Sequence, residues 1–184
     1  GYNIGLIPSR RQIDIQKGYV NNFSTKEFVN YVTERGKKIF IERDHAGPAQ
    51  GVSDDNGVTS VIEDSINNFD MIHIDPWKKH KDLESVVNNT VHLINECLNH
   101  KKNINFELGT EESIRKYSPE EFELYLKRIK EELGEEKFKY IKFGVVQGGT
   151  KLSINKNIGL FDSKKISAFI NVCNKFDLYS KEHN

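Results

Sequence analysis

The sequence predicts an α/β fold: a (β/α)8 barrel, present as an incomplete chain of about six βα units. Three observations predict it. Strand-like and helix-like segments alternate along the 184 residues. Strand starts recur about every 32 to 38 residues, the length of a strand plus its crossover helix, so the sheet is parallel. Nearly every strand candidate ends in a polar cluster. A barrel gathers such ends around one axis, whereas a doubly wound open sheet gathers function from two or three strands at its switch point.

The elements follow in order. Residues 4–7 read as the first strand and lead into Ser9-Arg10-Arg11-Gln12. Ser24 and Glu27 form a capping box before Phe28, Tyr31 and Val32, and Gly36 is a helix stop. Residues 38–42 are the second strand, followed by Arg43-Asp44-His45. Residues 54–68 hold one short helix. Residues 70–74 are the third strand, ending in His73-Ile74-Asp75. Asp82 caps a long helix with Leu83, Val86, Val87, Val91, Ile94 and Leu98 at helical spacing. Residues 103–108 are the fourth strand, before Thr110-Glu111-Glu112. Ser118-Pro119-Glu120-Glu121 opens the next helix, whose apolar face is Phe122, Tyr125, Leu126, Ile129 and Leu133, with Gly134 after it. Ile141–Val146 is the fifth strand and Gln147 its end. Ser163 opens the last helix, with Ile166, Phe169, Ile170 and Cys173 inward, and residues 176–179 form a sixth strand leading to Glu182-His183-Asn184. The expectation is one barrel domain over residues 1–184, lacking its last two units.

Composition narrows the function. The 27 basic and 27 acidic residues cancel, so there is no bulk attraction to nucleic acid or to an anionic membrane. No apolar run approaches the roughly 18 residues of a membrane helix. Cys97 and Cys173 fall in helical segments without a CxxC pair and read as reduced core thiols, which points to a cytoplasmic protein.

The chemistry gathers at the strand ends. Asp44 is a candidate proton-transfer group and His45 a candidate metal ligand; the bland alternative is an Asp–His bond closing a loop. His73 and Asp75 share a strand face, and serve either substrate hydroxyls or a buried structural pair. Lys78 could meet a phosphate or simply be solvated. Glu111 is a metal or hydroxyl ligand, or a capping carboxylate, and Glu112 reads as solvent-facing. Gln147, and more loosely Gln12, complete the substrate-binding candidates, and His183 is a third possible metal ligand. His80, His92 and His100 read as surface residues. There is no Walker loop, GxGxxG, HExxH or Ser-His-Asp order. An open-sheet nucleotide-binding protein is therefore disfavoured. Histidines and carboxylates at a barrel mouth suit a divalent metal, with zinc as the candidate, polarising a sugar carbonyl.

Several short blocks carry a resemblance. They are Ile41-Glu42-Arg43-Asp44-His45-Ala46-Gly47-Pro48, Ile72-His73-Ile74-Asp75, Leu108-Gly109-Thr110-Glu111, Val145-Val146-Gln147 and Glu182-His183. In this order and spacing they resemble the class II D-tagatose-1,6-bisphosphate aldolase family, non-catalytic subunit type, formerly labelled tagatose-6-phosphate kinase. Arg43, where the family has glycine, and the run Asp75 to Lys79 depart from its pattern. The resemblance implies a TIM barrel of carbohydrate metabolism, with Asp44 as proton-transfer residue and His45 on the metal. It implies a sugar or sugar-phosphate ligand and metal-dependent aldol cleavage or epimerisation through an enediolate, that is, a lyase or an epimerase. The alternative is a non-catalytic subunit that stabilises an aldolase catalytic partner; a homo-oligomer is the other association expected.

Overall fold

The computed structural model describes residues 5–35, 39–53, 55–149 and 161–182. The elements alternate as β1 (Gly5–Leu6), α1 (Thr25–Thr33), β2 (Phe40–Ala46), α2 (Val58–Ile66), β3 (Met71–Ile74), a 3-10 turn (Pro76–Lys78), α3 (Leu83–His100), β4 (Asn105–Leu108), α4 (Pro119–Leu133), α5 (Glu135–Phe138), β5 (Ile141–Val146), α6 (Ser163–Lys175) and β6 (Tyr179–Glu182). Local chemistry sets the boundaries. Ser24 and Glu27 close a reciprocal capping box on α1. The side chains of Asp82, Ser118 and Asp162 accept from first-turn amides of α3, α4 and α6.

All five strand pairings are parallel and the spatial order is β1-β2-β3-β4-β5-β6. This corrects the expected (β/α)8 TIM barrel. The sheet is open and six-stranded, and among the described residues β1 pairs only with β2 and β6 only with β5. Closure needs the last strand to pair with the first, and neither edge does so. The order is also sequential, without the reversal of a doubly wound sheet. What remains is an α/β half-barrel.

Alternation sorts the two sheet faces. Ile72, Ile74, Phe106, Leu108 and Val146 pack under the helices with Val86, Leu93, Ile94, Phe122, Leu126, Ile129 and Phe169. The opposite, concave face carries Glu42, His73, Glu107 and Lys181. Lys181 on β6 reaches both Glu107 on β4 and Glu42 on β2, so the sheet curves enough to bring alternate strands together. No described helix is long and apolar enough to cross a membrane.

Two strand boundaries and the exposure of Glu112 differ from expectation. β2 runs to Ala46, so Asp44 and His45 lie inside the strand. β6 starts at Tyr179, because Phe176 caps α6 and Asp177 turns the chain with a φ of 57°. Glu112 is not solvent-facing: its side chain is 7% exposed and it takes a 2.8 Å ion pair from Lys165.

Candidate functional site

The site begins with a bulge. Arg43 pairs with Ile72 and Ala46 with Ile74, so Asp44 and His45 together oppose His73. His45 has a φ of 48°, a left-handed conformation uncommon outside glycine. The extra residue breaks strict alternation. Asp44 and His45 become neighbours in space, with Asp44 Oδ1 3.6 Å from His45 Nε2. Gly47 follows at φ 132°, where a Cβ would come within 3.2 Å of the Asp75 carbonyl oxygen. Glycine lets the β2–α2 loop pass against the end of β3.

His45 is oriented from behind. Its Nδ1–H donates to Asp75 Oδ2 at 2.7 Å. The carboxylate can only accept, so the lone pair of the neutral ring sits on Nε2. Nε2 also lies 3.9 Å from Glu111 Oε1. Asp75 is itself fixed: Oδ2 accepts from Thr110 Oγ1 at 2.9 Å and Oδ1 from the Trp77 amide at 3.1 Å. Burial alone would lower the His45 pKa. The hydrogen bond to Asp75 and the charges of Asp75, Asp44 and Glu111 outweigh it and raise the value.

His73 is fully buried, and its ring centroid lies 4.6 Å from that of His45. Its Nε2–H donates to the Gly109 carbonyl at 3.0 Å, so Nδ1 carries the lone pair. Ligand atoms of Asp44, His45 and His73 lie within 4.8 Å of one another. Two nitrogens and one carboxylate form a donor set suited to zinc or another first-row divalent ion. The carboxylate behind His45 is the usual support for such a ligand. The residues present therefore fit a divalent metal.

Beneath this cluster lies an ion triad on the concave face. Lys181 Nζ stands 2.6 Å from Glu42 Oε1 and 2.8 Å from Glu107 Oε2, and Glu107 Oε1 is 3.9 Å from His73 Nδ1. Glu42 and Glu107 are buried. Burial, then the neighbouring Glu107, pushes the Glu42 carboxyl up to about 8. Burial would lower the Lys181 ammonium, but Glu107 and Glu42 hold it above the usual lysine range.

The structure brings Asp44, His45, His73, Asp75 and Glu111 together and places the other candidates differently. Gln147 spends its amide on backbone: Oε1 accepts from the Tyr117 amide, and Nε2 donates to the carbonyls of Thr110 and Arg115. Gln12 Oε1 accepts from the Ser9 amide in its own turn. Lys78 is half-buried in the 3-10 turn after β3, its pKa lowered by burial and by Arg11. His183 lies outside the described residues. Thr110, Glu42 and Lys181 were missed as site residues. Their roles depend on cross-strand contacts that spacing along the chain does not reveal.

A cleft of about 570 Å³ lies elsewhere, between the β1–α1 loop and the start of α2. Arg10, Asp14, Lys17, Asp55 and Ser60 line it, and none of the cluster residues does. Its Arg10 is saturated by Asp14, Asp55 and the Gly47 carbonyl. The bulge holds the clustered histidines and carboxylates, whereas the charged centre of the cleft, Arg10 with Asp14 and Asp55, is paired within itself.

No protein-family model matches the chain, and no curated protein does. A solved structure does: a probable tagatose 6 phosphate kinase from Sinorhizobium meliloti 1021, with a TM-score of 0.78 and 14% identity. The match covers 98% of this chain and 52% of that one. This chain thus spans about half the length of the structure it resembles. At this identity the likeness shows the shared fold, end to end along the chain.

Proposed function

We propose that this chain belongs to a protein of sugar or sugar-phosphate metabolism that binds one divalent cation through His45 and His73 and moves a proton beside a substrate carbonyl with Asp44. The observation that carries the reading is the paired arrangement on His45, with Asp75 at Nδ1 and the Asp44–His73 cluster around Nε2. The tagatose phosphate named for the structural neighbour agrees with the resemblance in the sequence blocks.

A bound divalent ion would supply Lewis acidity to the substrate carbonyl. The chain's own residues supply the rest. Asp75 and Thr110 fix the His45 ring. Asp44 is the most open member of the cluster: its side chain is 30% exposed, against 14% for His45 and 0% for His73. It is therefore the group placed to meet substrate and to take or return the proton. Glu111, a quarter exposed, stands at the rim to accept from a substrate hydroxyl. Aldol cleavage and epimerisation both begin with such a proton transfer.

Equilibrium dialysis against Zn²⁺ and Mn²⁺ tests the reading, followed by assay of ketose phosphates, ketose bisphosphates and uronates. One metal per chain, lost in His45→Ala and His73→Ala, is expected. No binding by the folded protein overturns the metal reading. Stoichiometric binding with no turnover of any substrate supports instead a subunit that assists a catalytic partner.

A further inference from the structure

The concave face holds a second position built like a cation site, and a lysine already occupies it. Glu42 from β2 and Glu107 from β4 are buried to 2% and 0% exposure, and their carboxylates converge on one point. At that point stands Lys181 Nζ, 2.6 Å from one and 2.8 Å from the other. Two buried carboxyl groups this close need either a retained proton or a positive charge between them, and here the charge is supplied by an ammonium within 2.8 Å of both. The ammonium arrives from β6, across the concave face, rather than from a neighbouring strand. Glu107 Oε1 lies 3.9 Å from His73 Nδ1, so this position adjoins the Asp44–His45–His73 cluster.

We propose that Lys181 is a built-in counter-cation that fills a second cation position between Glu42 and Glu107. It thereby confines a divalent ion to the site at His45 and His73, beside Asp44. The proposal rests on the reading of that cluster as a one-cation site. Oxygen donors alone suit a hard divalent ion such as Mn²⁺ or Mg²⁺, so the excluded ion belongs to that class. Lys181 is a specificity-determining residue in this account and touches no substrate.

Mn²⁺ stoichiometry, read by equilibrium dialysis and electron paramagnetic resonance, tests it. The wild-type chain is expected to bind one Mn²⁺. Lys181→Met should bind two, with spectral broadening from two nearby ions, and Lys181→Arg should return to one. The added site should survive His45→Ala in the Lys181→Met background and vanish with Glu107→Gln. One ion in both wild type and Lys181→Met overturns the inference and leaves the one-cation reading intact. No ion in wild type, with one gained in Lys181→Met, overturns the one-cation reading and keeps Lys181 as the excluding charge. Two ions in wild type overturn the inference. If Lys181→Met folds only in Mn²⁺, the ion has replaced the ammonium and the inference is supported. If it folds in neither state while Lys181→Arg folds, the inference falls, because Lys181 is then a structural pair that no free cation replaces.

Discussion

Asp75 is fully buried, and both its oxygens have donors, on Trp77, Thr110 and His45. Such a carboxylate fixes the tautomer of a ligating histidine and raises its basicity. Asp75→Asn should therefore weaken divalent-ion binding by about 10- to 100-fold, the usual worth of an outer support. Titration calorimetry with Zn²⁺ reads this directly, and unchanged affinity would remove Asp75 from the site. Asp44→Asn should act differently. It keeps the shape but loses the basic oxygen, so turnover should fall by roughly 10²- to 10⁴-fold while the melting temperature barely moves. A large stability loss with activity following the folded fraction would make Asp44 a loop anchor instead. At this scale the sequence exposed the Asp44-His45 and His73-Asp75 pairs, because ionisable residues at strand ends stand out. It could not show that Gln147 binds three backbone groups, since nothing in Val145-Val146-Gln147 names Tyr117, Thr110 or Arg115 as partners.

The bulged strand β2 carries the site, and its outward face explains a residue that looked out of place. Arg43 is fully buried under α2. It makes a two-pronged ion pair with Asp64, at 2.8 and 2.7 Å, and donates to the carbonyls of Pro8 and Ile13. It thus clamps the β1–α1 loop, β2 and α2 together. Arg43→Met should cost about 3–5 kcal/mol in urea unfolding, because Asp64 is left buried and unpaired. Arg43→Met with Asp64→Leu should recover much of that, and an additive double variant would show that the pair is not the cause. The sequence-based reading ends β2 at residue 42 because the polar cluster Arg43-Asp44-His45 follows; the partner that makes Arg43 a core residue is 21 positions away. The loop after β2 has its own clamp. Asp55 is held below the ordinary carboxylate range, chiefly by its hydrogen bond from Arg10. A depressed folded value means that the contribution is present above the unfolded pKa of about 3.9 and is lost as pH falls through the folded value. Exchange of the Gly57 amide, which donates to Asp55 Oδ1, should rise relative to its intrinsic rate on acidification below about pH 4. Asp55→Asn should flatten that rise; an unchanged profile would place the transition elsewhere.

Across the molecule, the strand–helix period told of a parallel α/β sheet, and the structure agrees. Closure was not legible, because it depends on whether the two outermost strands pair, and no local pattern encodes that contact. An open sheet has a stability gradient that a closed one lacks. β3 is buried along its whole length and has strand neighbours on both sides. β1 is two residues long, and β6 exposes Tyr179 and Ser180. Local opening follows buried contact, so amides of Ile72, Ile74, Phe106 and Leu108 should exchange slowest and those of β6 among the fastest of the strands. Lys181 modifies this gradient, because its ion pairs tie an edge strand to β2 and β4. Without divalent metal, Lys181→Met should accelerate exchange in β6 far more than in β3. Added Mn²⁺ should leave β6 exchange fast, as an ion between Glu42 and Glu107 relieves the repulsion between β2 and β4 but cannot grip a methionine on β6. Equal acceleration in β3 and β6 would mean that the triad supports global stability rather than the edge. Hydrogen–deuterium exchange resolved to single strands separates the two outcomes.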